Sequence, residues 1–418
     1  MTRTRKVLAV PALVVSVWAC SAGKAGGPRV VTIAPGPNAQ TETQTALIKA
    51  RAGDVIQFAE GSYDFTMGLS LTVSGVTVRG RGRDKTVLSF KNQNAGSEGL
   101  LVTANGFTLE DLSVVDTKGD AVKVSGADGV TFRRVAARWS GEPSEKNGGY
   151  GLYPVQCKNV LIEDCLASGA SDAGIYVGQS TNAVIRRCRA EGNVAGIESE
   201  NSTGVDIYEN EATGNAGGLL VFDLPDLPVK KGGRIRVFRN TVTANNHANF
   251  APKGNIVALV PPGTGLMIMA ADQVEVFDNT VQDNGTTNLS LVSYFATGKP
   301  IKDKEYDPYP EGIFIHGNRF SGGGASPQGQ LGTMLMALVG TPVPDIVWDG
   351  AVNMDKVRGR AHGPESRVWI KDNGSAGFAN VHWLEADPNK LAQARAKVER
   401  DLAAHAGELP ALPAVILP

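Results

Sequence analysis

"AVIRRCRAEGNVAGIESENSTG" occupies Ala183–Gly204, and "VDIYENEATGNAGGLLVFD", Val205–Asp223, follows the same script. In each stretch branched residues alternate with polar ones. Then comes Cys188 or Asn210, then Gly-Asn, then a small-residue step into a second apolar alternation. Alternation of period two marks a strand; a helical repeat would set apolar residues at i, i+3 and i+4. Aligned on this stretch, six-residue strands recur: "VTVRGR" ending at Arg81, "FTLEDL" at Leu112, "VTFRRV" at Val135, "VLIEDC" at Cys165, "AVIRRC" at Cys188, "VDIYEN" at Asn210, "IRVFRN" at Asn240, "VEVFDN" at Asn279 and "IFIHGN" at Asn318. From Leu112 onward the spacings are 23, 30, 23, 22, 30, 39 and 39 residues. A basal period of about 22 residues with insertions is a solenoid signature. Three short strands and three turns per unit make one rung of a single-stranded parallel β-helix, so the predicted fold is all-β.

A second strand follows each first one by nine or ten residues: "AVKVS", "LYPVQ", "IYVGQ", "IESEN", "LLVFD" and "LMIMA". The first set defines sheet A and the second sheet B. Val122, Leu152, Ile175, Ile197, Leu219 and Leu266 of sheet B are expected to stack inward at about 4.8 Å per rung. Asn forms two columns, Asn210, Asn240, Asn279 and Asn318 at the end of sheet A, and Asn193, Asn215, Asn245 and Asn284 five residues on. Stacked side-chain amides can bond to one another and to turn backbone, holding a sharp corner. Cys165 and Cys188 occupy the first column two rungs early, which predicts buried thiols rather than a required disulfide.

Composition fits a soluble globular protein: 418 residues, 42% apolar, 20% charged, 50 Gly and only 6% aromatic. Net charge is −1, and about −4 without Arg3, Arg5 and Lys6; neither value suggests a nucleic-acid partner. The first 19 residues read as a signal peptide, with a basic "MTRTRK" and an apolar "VLAVPALVVSVW" too short to span a bilayer comfortably. Val17, Ala19 and Cys20 resemble a bacterial lipoprotein box, although Trp18 is unusual there and an ordinary cleavage nearby stays open. Lipidation of Cys20 would anchor the protein to a membrane by lipid alone. Ser21 after the Cys, by the same resemblance, implies an exported cell-envelope protein at the outer membrane. Residues 20–30 read as a linker. Cys157, Cys165 and Cys188 then remain, an odd set that leaves at least one free thiol.

The solenoid, placed at 31–370, needs caps. "ETQTALIKARAGDVIQFAEGSYDF" supplies one, with a short amphipathic helix at about 41–51. That helix and the "AGDVIQFAEGSY" after it resemble the N-terminal cap of pectin-lyase-like right-handed β-helix proteins. "YGLYPVQCKNVLIEDCLASGASDAGIYVGQSTN", "VFDLPDLP" and "NNHANFAPKGNIVALVPPGTGLMIMA" are similar to an exported family of parallel β-helix repeat proteins, over about residues 30–320. That family is often encoded beside, or fused to, a c-type-cytochrome-like exported protein, which the resemblance offers as a partner; it brings no catalytic residues. After Phe320, "SGGGASPQGQ" reads as a flexible break, "DIVWDG" and "RVWIKDNG" as irregular rungs, and 371–418 as a second cap. That cap holds a helix over "DPNKLAQARAKVERDLAAH", with Asp387 as N-cap and Leu391, Ala394, Val398 and Leu402 on one face, and an extended Pro-rich tail.

Four insertions flank sheet B: Ser140–Tyr150, Asp223–Arg234, Asn245–Gly263 and Tyr294–Gly312. Long loops in a compact repeat carry function, so the outer face of sheet B is the predicted groove floor. Outward positions are Lys123, Tyr153, Tyr176, Glu198, Leu220 and Met267, with Glu200 and Phe222 in a second row and Asp172 and Asp223 at strand ends. Tyrosines beside carboxylates suit a sugar chain, rings covering apolar sugar faces and carboxylates accepting hydroxyl hydrogen bonds; an ordinary solvated face is the competing reading. Glu198, Glu200 and Asp223 are candidate Ca²⁺ ligands, since Ca²⁺ wants several oxygens. No other cofactor is indicated. Glu198 with Asp172 or Asp223 also suits the separation for glycoside hydrolysis, and a lyase or epimerase activity stays open. "YDPYPEG", Tyr306–Gly312, approaches the Asp-Pro-His motif of β-helix alginate epimerases, but Tyr309 stands where the His would be, and a turn leading into "IFIHGN" is preferred. Met267 and Met269 share a face, as packing or as a copper pair. No CxxCH, P-loop or Gly-x-Ser-x-Gly elbow occurs in the chain. The sequence thus points to a glycan-binding envelope protein, with a non-catalytic scaffold for an exported cytochrome or metal-handling partner as the alternative.

Overall fold

The computed structural model describes residues 28–358, 367–385 and 391–418; the leader, Cys20, most of the linker and Asp387 lie outside these. Each regular turn of chain supplies three strands. In one such turn Thr203–Tyr208 belongs to sheet A, Glu211–Thr213 to a short-stranded sheet C, and Gly217–Phe222 to sheet B. Repetition builds twelve strands in sheet A, eleven in sheet B and ten in sheet C among the described residues, all neighbours parallel. Register is strict: Val205 pairs with Ile235, Ile235 with Val274, and Val274 with Ile313. The inward column of sheet B runs Val122, Leu152, Ile175, Ile197, Leu219 and Leu266, each no more than 2% exposed. A single rung cannot bury such residues alone; stacked rungs bury one another's.

The corner after sheet A shows why the chain repeats Asn. Asn210 Nδ2 donates to the Ile185 carbonyl at 3.0 Å and to Asn240 Oδ1 at 3.0 Å, while the Asn210 backbone N–H also donates to Asn240 Oδ1 at 3.0 Å. Asn240 treats Asn279 in the same way, and Asn279 treats Asn318. The residue before each Asn is left-handed, with φ of 56° at Glu209, 53° at Arg239 and 54° at Asp278. A left-handed non-Gly residue costs free energy, and the amide column compensates by satisfying buried turn backbone. Asn193, Asn215, Asn245 and Asn284 form the second column. Cys188 begins the first column, its backbone N–H donating to Asn210 Oδ1. Cys157, Cys165 and Cys188 are free and buried.

At the N-terminal end the helix Ala39–Ile48 covers the solenoid. Gln40 Oε1 accepts from the Thr66 and Met67 N–H groups, and Gln44 Oε1 from Ser70 N–H, so helix side chains satisfy the edge strand Met67–Leu71. At the other end Val368–Lys371 extends sheet A, and Ile346–Trp348 and Phe378–Asn380 extend sheet B. Asn373 adds a fifth amide to the first column.

The C-terminal helix expected over "DPNKLAQARAKVERDLAAH", to His405, is shorter: the described helix is Leu391–Ala396. Glu399 instead exchanges two backbone hydrogen bonds with Asn380, so pairing with the uncovered edge of sheet B wins over helix propensity. A helix that the sequence pattern did not announce, Gly329–Val339, follows the predicted break. Leu335, Leu338 and Val339 pack it, with Ala394, onto the end of sheet B. No described helix is long and apolar enough to cross a membrane.

Candidate functional site on the outer face of sheet B

Register brings the expected floor together. Lys123 pairs with Tyr153 across one ladder, and Tyr176, Glu198, Leu220 and Met267 follow on successive strands. Gly178, Glu200, Phe222 and Met269 form the row beside it. The loops flank sheet B as the spacing implied. They do more than wall a groove, however. Residues from Asn249–Val260 and Tyr294–Tyr306 fold over the later rungs and seal Leu220, Phe222, Met267 and Met269 into a second apolar cluster. The predicted groove floor is therefore not open along its whole length, and Leu220 and Met267, expected outward on it, are covered: these residues face out of the solenoid but not into water, because apolar loop residues gain by covering them. Met267 and Met269 pack there against Phe222, Val260 and Val292.

The earlier rungs remain polar and partly open. Tyr150, Tyr153 and Tyr176 form a three-ring platform, with centroids 4.3, 4.6 and 5.0 Å apart. Lys123 Nζ lies 5.0 Å from the Tyr153 ring centroid and 4.0 Å from Asp120. Asp120, Asp172, Glu198 and Glu200 gather around the platform. Gly149 lies between two of them: a Cβ there would stand at ordinary contact distance, 3.5 Å from Asp120 Oδ1 and 3.9 Å from the Asp172 Cβ. Asn255, from the longest loop, donates to Asp172 Oδ2 at 3.0 Å. Tyr176 O–H donates to Glu200 Oε1 at 2.6 Å. Glu198 is 3% exposed, and its Oε2 has no hydrogen-bond partner.

Burial dominates the titration of this cluster. It raises Asp172 to about 7, with the Asn255 hydrogen bond opposing and Glu200 adding. It raises Asp120 to about 6 against the pull of Lys123. Glu198 is pushed well above the carboxylate range, by burial first and then by Asp172 and Glu200. Glu200 is raised by burial but eased by the Tyr176 hydroxyl. A carboxyl held neutral in this way can donate a hydrogen bond or a proton, while its neighbours accept.

Asp223 lies apart from this group. Its Oδ2 accepts from Gly232 N–H at 2.7 Å, Oδ1 has no partner, and burial raises it to about 8. Glu198, Glu200 and Asp223 do not form a tight ligand set. The described acids whose donor atoms lie within 4.8 Å of one another are instead Asp272, Asp307 and Glu311. Lys356 bridges Asp307 and Glu311, and Lys231 stands 3.5 Å from Asp307, so ammonium groups already balance that trio. The "YDPYPEG" segment leads back into the strand Glu311–His316, and its Tyr306 hydroxyl donates to the Asp223 carbonyl at 2.5 Å.

Sequence reasoning missed Asp120, Tyr150 and Asn255. Tyr150 precedes the alternating stretch, beyond a glycine corner where the outward face resumes. Asn255 arrives from 83 residues beyond Asp172, and no periodic signal reports that.

A family model described as "Right handed beta helix region" matches residues 74–227. The fold is a right-handed parallel β-helix. Among solved structures the chain is similar to the mannuronan C-5 epimerase AlgE4 A-module of Azotobacter vinelandii, at 18% identity over 85% of this chain and 94% of that one, with a TM-score of 0.53. It is also similar to a mutant DFA-IIIase from Arthrobacter chlorophenolicus A6 in complex with DFA-III, at 14% identity over 85% and 94%, with a TM-score of 0.51. These likenesses establish the fold. No curated protein matches the sequence.

Proposed function

We propose that this protein binds a neutral glycan across the early rungs of sheet B, over the part-exposed Lys123, Tyr150 and Tyr153. The observation that carries the reading is the buried, unpartnered carboxyl of Glu198 beside a three-tyrosine platform. Ring faces stack on the apolar faces of sugars, and a set of carboxyl donors and acceptors matches a run of hydroxyls. Four acids against one Lys disfavour a polyanion, since each acid that ionises would meet a uronate as like charge. The two solved neighbours support a carbohydrate reading, one by its mannuronan substrate and the other by its DFA-III complex. The proposal includes export and anchoring through Cys20, which metabolic labelling with a palmitate analogue would test.

The binding test is calorimetric titration of the protein with glucan, mannan, xylan and fructan oligosaccharides, beside alginate and polygalacturonate. Saturable binding to a neutral member, weakened by Tyr153→Ala, is expected. Preference for the acidic polymers, or no binding at all, would overturn the reading.

A further inference from the structure

The two longest insertions, Asn245–Gly263 and Tyr294–Gly312, meet the C-terminal cap outside the later rungs of sheet B and leave a cavity of about 430 Å³. Pro261 and Pro262 line it from the first insertion, Phe295 from the second, and Leu331 and Trp383 from the cap. The basal rung has no such segments, and long loops in a repeat carry function. None of the described residues lining the cavity is ionisable. An ionised ligand would therefore lose hydration there without gaining a counter-charge. Two of the three polar side chains on its wall are already engaged. Asn249 Nδ2 donates to the Val257 and Val260 carbonyls at 2.9 and 2.8 Å, and its Oδ1 accepts from the Ala251 N–H. The Thr297 hydroxyl donates to the Tyr294 carbonyl and accepts from the Lys299 N–H. Only the side-chain amide of the exposed Gln330 has no partner among the described residues. A sugar carries a hydroxyl on most ring carbons, and each one enclosed without a partner costs free energy. The cavity thus disfavours a glycan and suits a molecule with a single polar group.

We propose that this cavity binds a neutral aromatic molecule of two or three rings, its ring body against Phe295, Trp383, Pro261 and Pro262 and its polar substituent at Gln330. An engineered apolar cavity of about 150 Å³ holds one benzene ring, so about 430 Å³ has room for the larger molecule. That volume also falls within the ordinary range of small-molecule sites. Aromatic rings and prolines make rigid walls. A rigid planar ligand surrenders less conformational freedom on entry than a flexible chain of equal volume. Its rings also gain from edge or offset contacts with Phe and Trp. Leu259 lines the cavity and is 47% exposed, so a ligand that covers it removes apolar surface from water. Next to the cavity a second void of about 30 Å³ is lined by Met267 and Met269 and shares Ala296 and Leu331 with it. Leu331 therefore borders open space on two sides, which gives a wider ring room to enter. The site is separate from the glycan floor on the earlier rungs, and neither proposal depends on the other.

The test titrates the full chain with N-phenyl-1-naphthylamine, an uncharged three-ring probe whose emission rises in apolar surroundings. Saturation at one probe per chain is expected, with displacement by 2-naphthol but not by dodecanol or a neutral oligosaccharide. Ala258 lines the cavity, and Ala258→Trp, which places a large ring in the space, is expected to weaken probe binding by about tenfold or more. Trp383→Leu removes a wall ring and is expected to weaken it by about fivefold. Thermal melts check that both variants fold, and Trp383→Leu decides alone if Ala258→Trp does not. A signal that never saturates, or affinity unchanged in a folded variant, puts the probe elsewhere and overturns the proposal. Displacement by dodecanol as readily as by 2-naphthol overturns the aromatic class. Stoichiometry and displacement are read on wild type, so they stand whichever variant folds.

Discussion

At the scale of single residues, two tyrosines on one row separate binding from folding. Tyr153 is half-buried and stacked beneath Lys123, whereas Tyr176 is 3% exposed and bonded to Glu200. Tyr153→Ala should weaken glycan binding by about 0.5–1.5 kcal/mol with the thermal midpoint nearly unchanged. Tyr176→Ala should cost about 3 kcal/mol of stability, since it removes a packed ring and strands a buried carboxyl. Denaturant unfolding of both variants checks the contrast; equal losses would show that burial does not divide the row. The amide column gives a second residue-scale expectation. Asn240→Ala leaves the Asn210 N–H and Nδ2 without their shared acceptor and the Ile207 carbonyl without Asn240 Nδ2, so about 1–3 kcal/mol should be lost. This column was legible in the sequence because its amides recur at the rung period. The left-handed residue before each Asn was not, since Glu209, Arg239 and Asp278 mix acids with a base and show no common residue type at that position.

At the scale of elements, the strands and the N-terminal cap helix were legible and the helices of the C-terminal end were not, for one physical reason. A rung strand must alternate to face both core and outside, and the pattern survives in the sequence. The helix Gly329–Val339 is instead apolar on much of its surface and carries Gly332, so its identity depends on the sheet end it covers. Glu399 shows the converse, a good helix former whose backbone is claimed by an open strand edge. The loops followed the same logic. Their positions were readable as gaps in the repeat, but not that Asn249–Val260 would fold onto Met267 and Met269. The buried acids beneath and beside these loops give a pH expectation. Asp172 and Asp223, raised to about 7 and about 8, bind protons more tightly folded than unfolded. Their contribution is therefore fully present below the ordinary carboxylate range and is lost as pH rises through about 7 to 8. Thermal midpoints should fall between about pH 4 and pH 8, from the unfolded carboxylate value to the folded ones, and Asp223→Asn should flatten the fall. A midpoint rising over that range would show that these acids are ionised in the folded protein.

At the scale of the whole molecule, the solenoid is fastened along its axis by its own tail. Glu408 pairs with Lys371 at 2.7 Å, the Leu412 N–H donates to Glu275 Oε2 at 2.9 Å, and the Val415 N–H donates to Asp206 Oδ2 at 3.1 Å. Asp206, Arg236 and Glu275 are in register on three successive strands of sheet A, so the two acceptors stand about 9.6 Å apart along the axis. Three residues in the polyproline conformation advance about 9.3 Å. The Pro-rich composition thus matches the chain's rise to the rung spacing, and the tail runs across strands instead of adding one. Asp206 and Glu275 are only 3% and 5% exposed on an outer face, and both use a carboxyl oxygen on the tail. Asp206 is also held by Arg236 through two bonds of 2.8 and 2.6 Å, which aims the acceptor. Each bond to a charged acceptor contributes about 1.5–3 kcal/mol when desolvated, less for Glu408, whose pair is exposed. A chain ending at Ala406 should therefore unfold at lower denaturant concentration, by about 2–4 kcal/mol. Its glycan binding should be unchanged, because the tail lies on sheet A and the site on sheet B. A synthetic peptide of residues 407–418 added in excess should restore part of the loss. Unaltered stability of the shortened chain would show that the tail rests on the solenoid without fastening it.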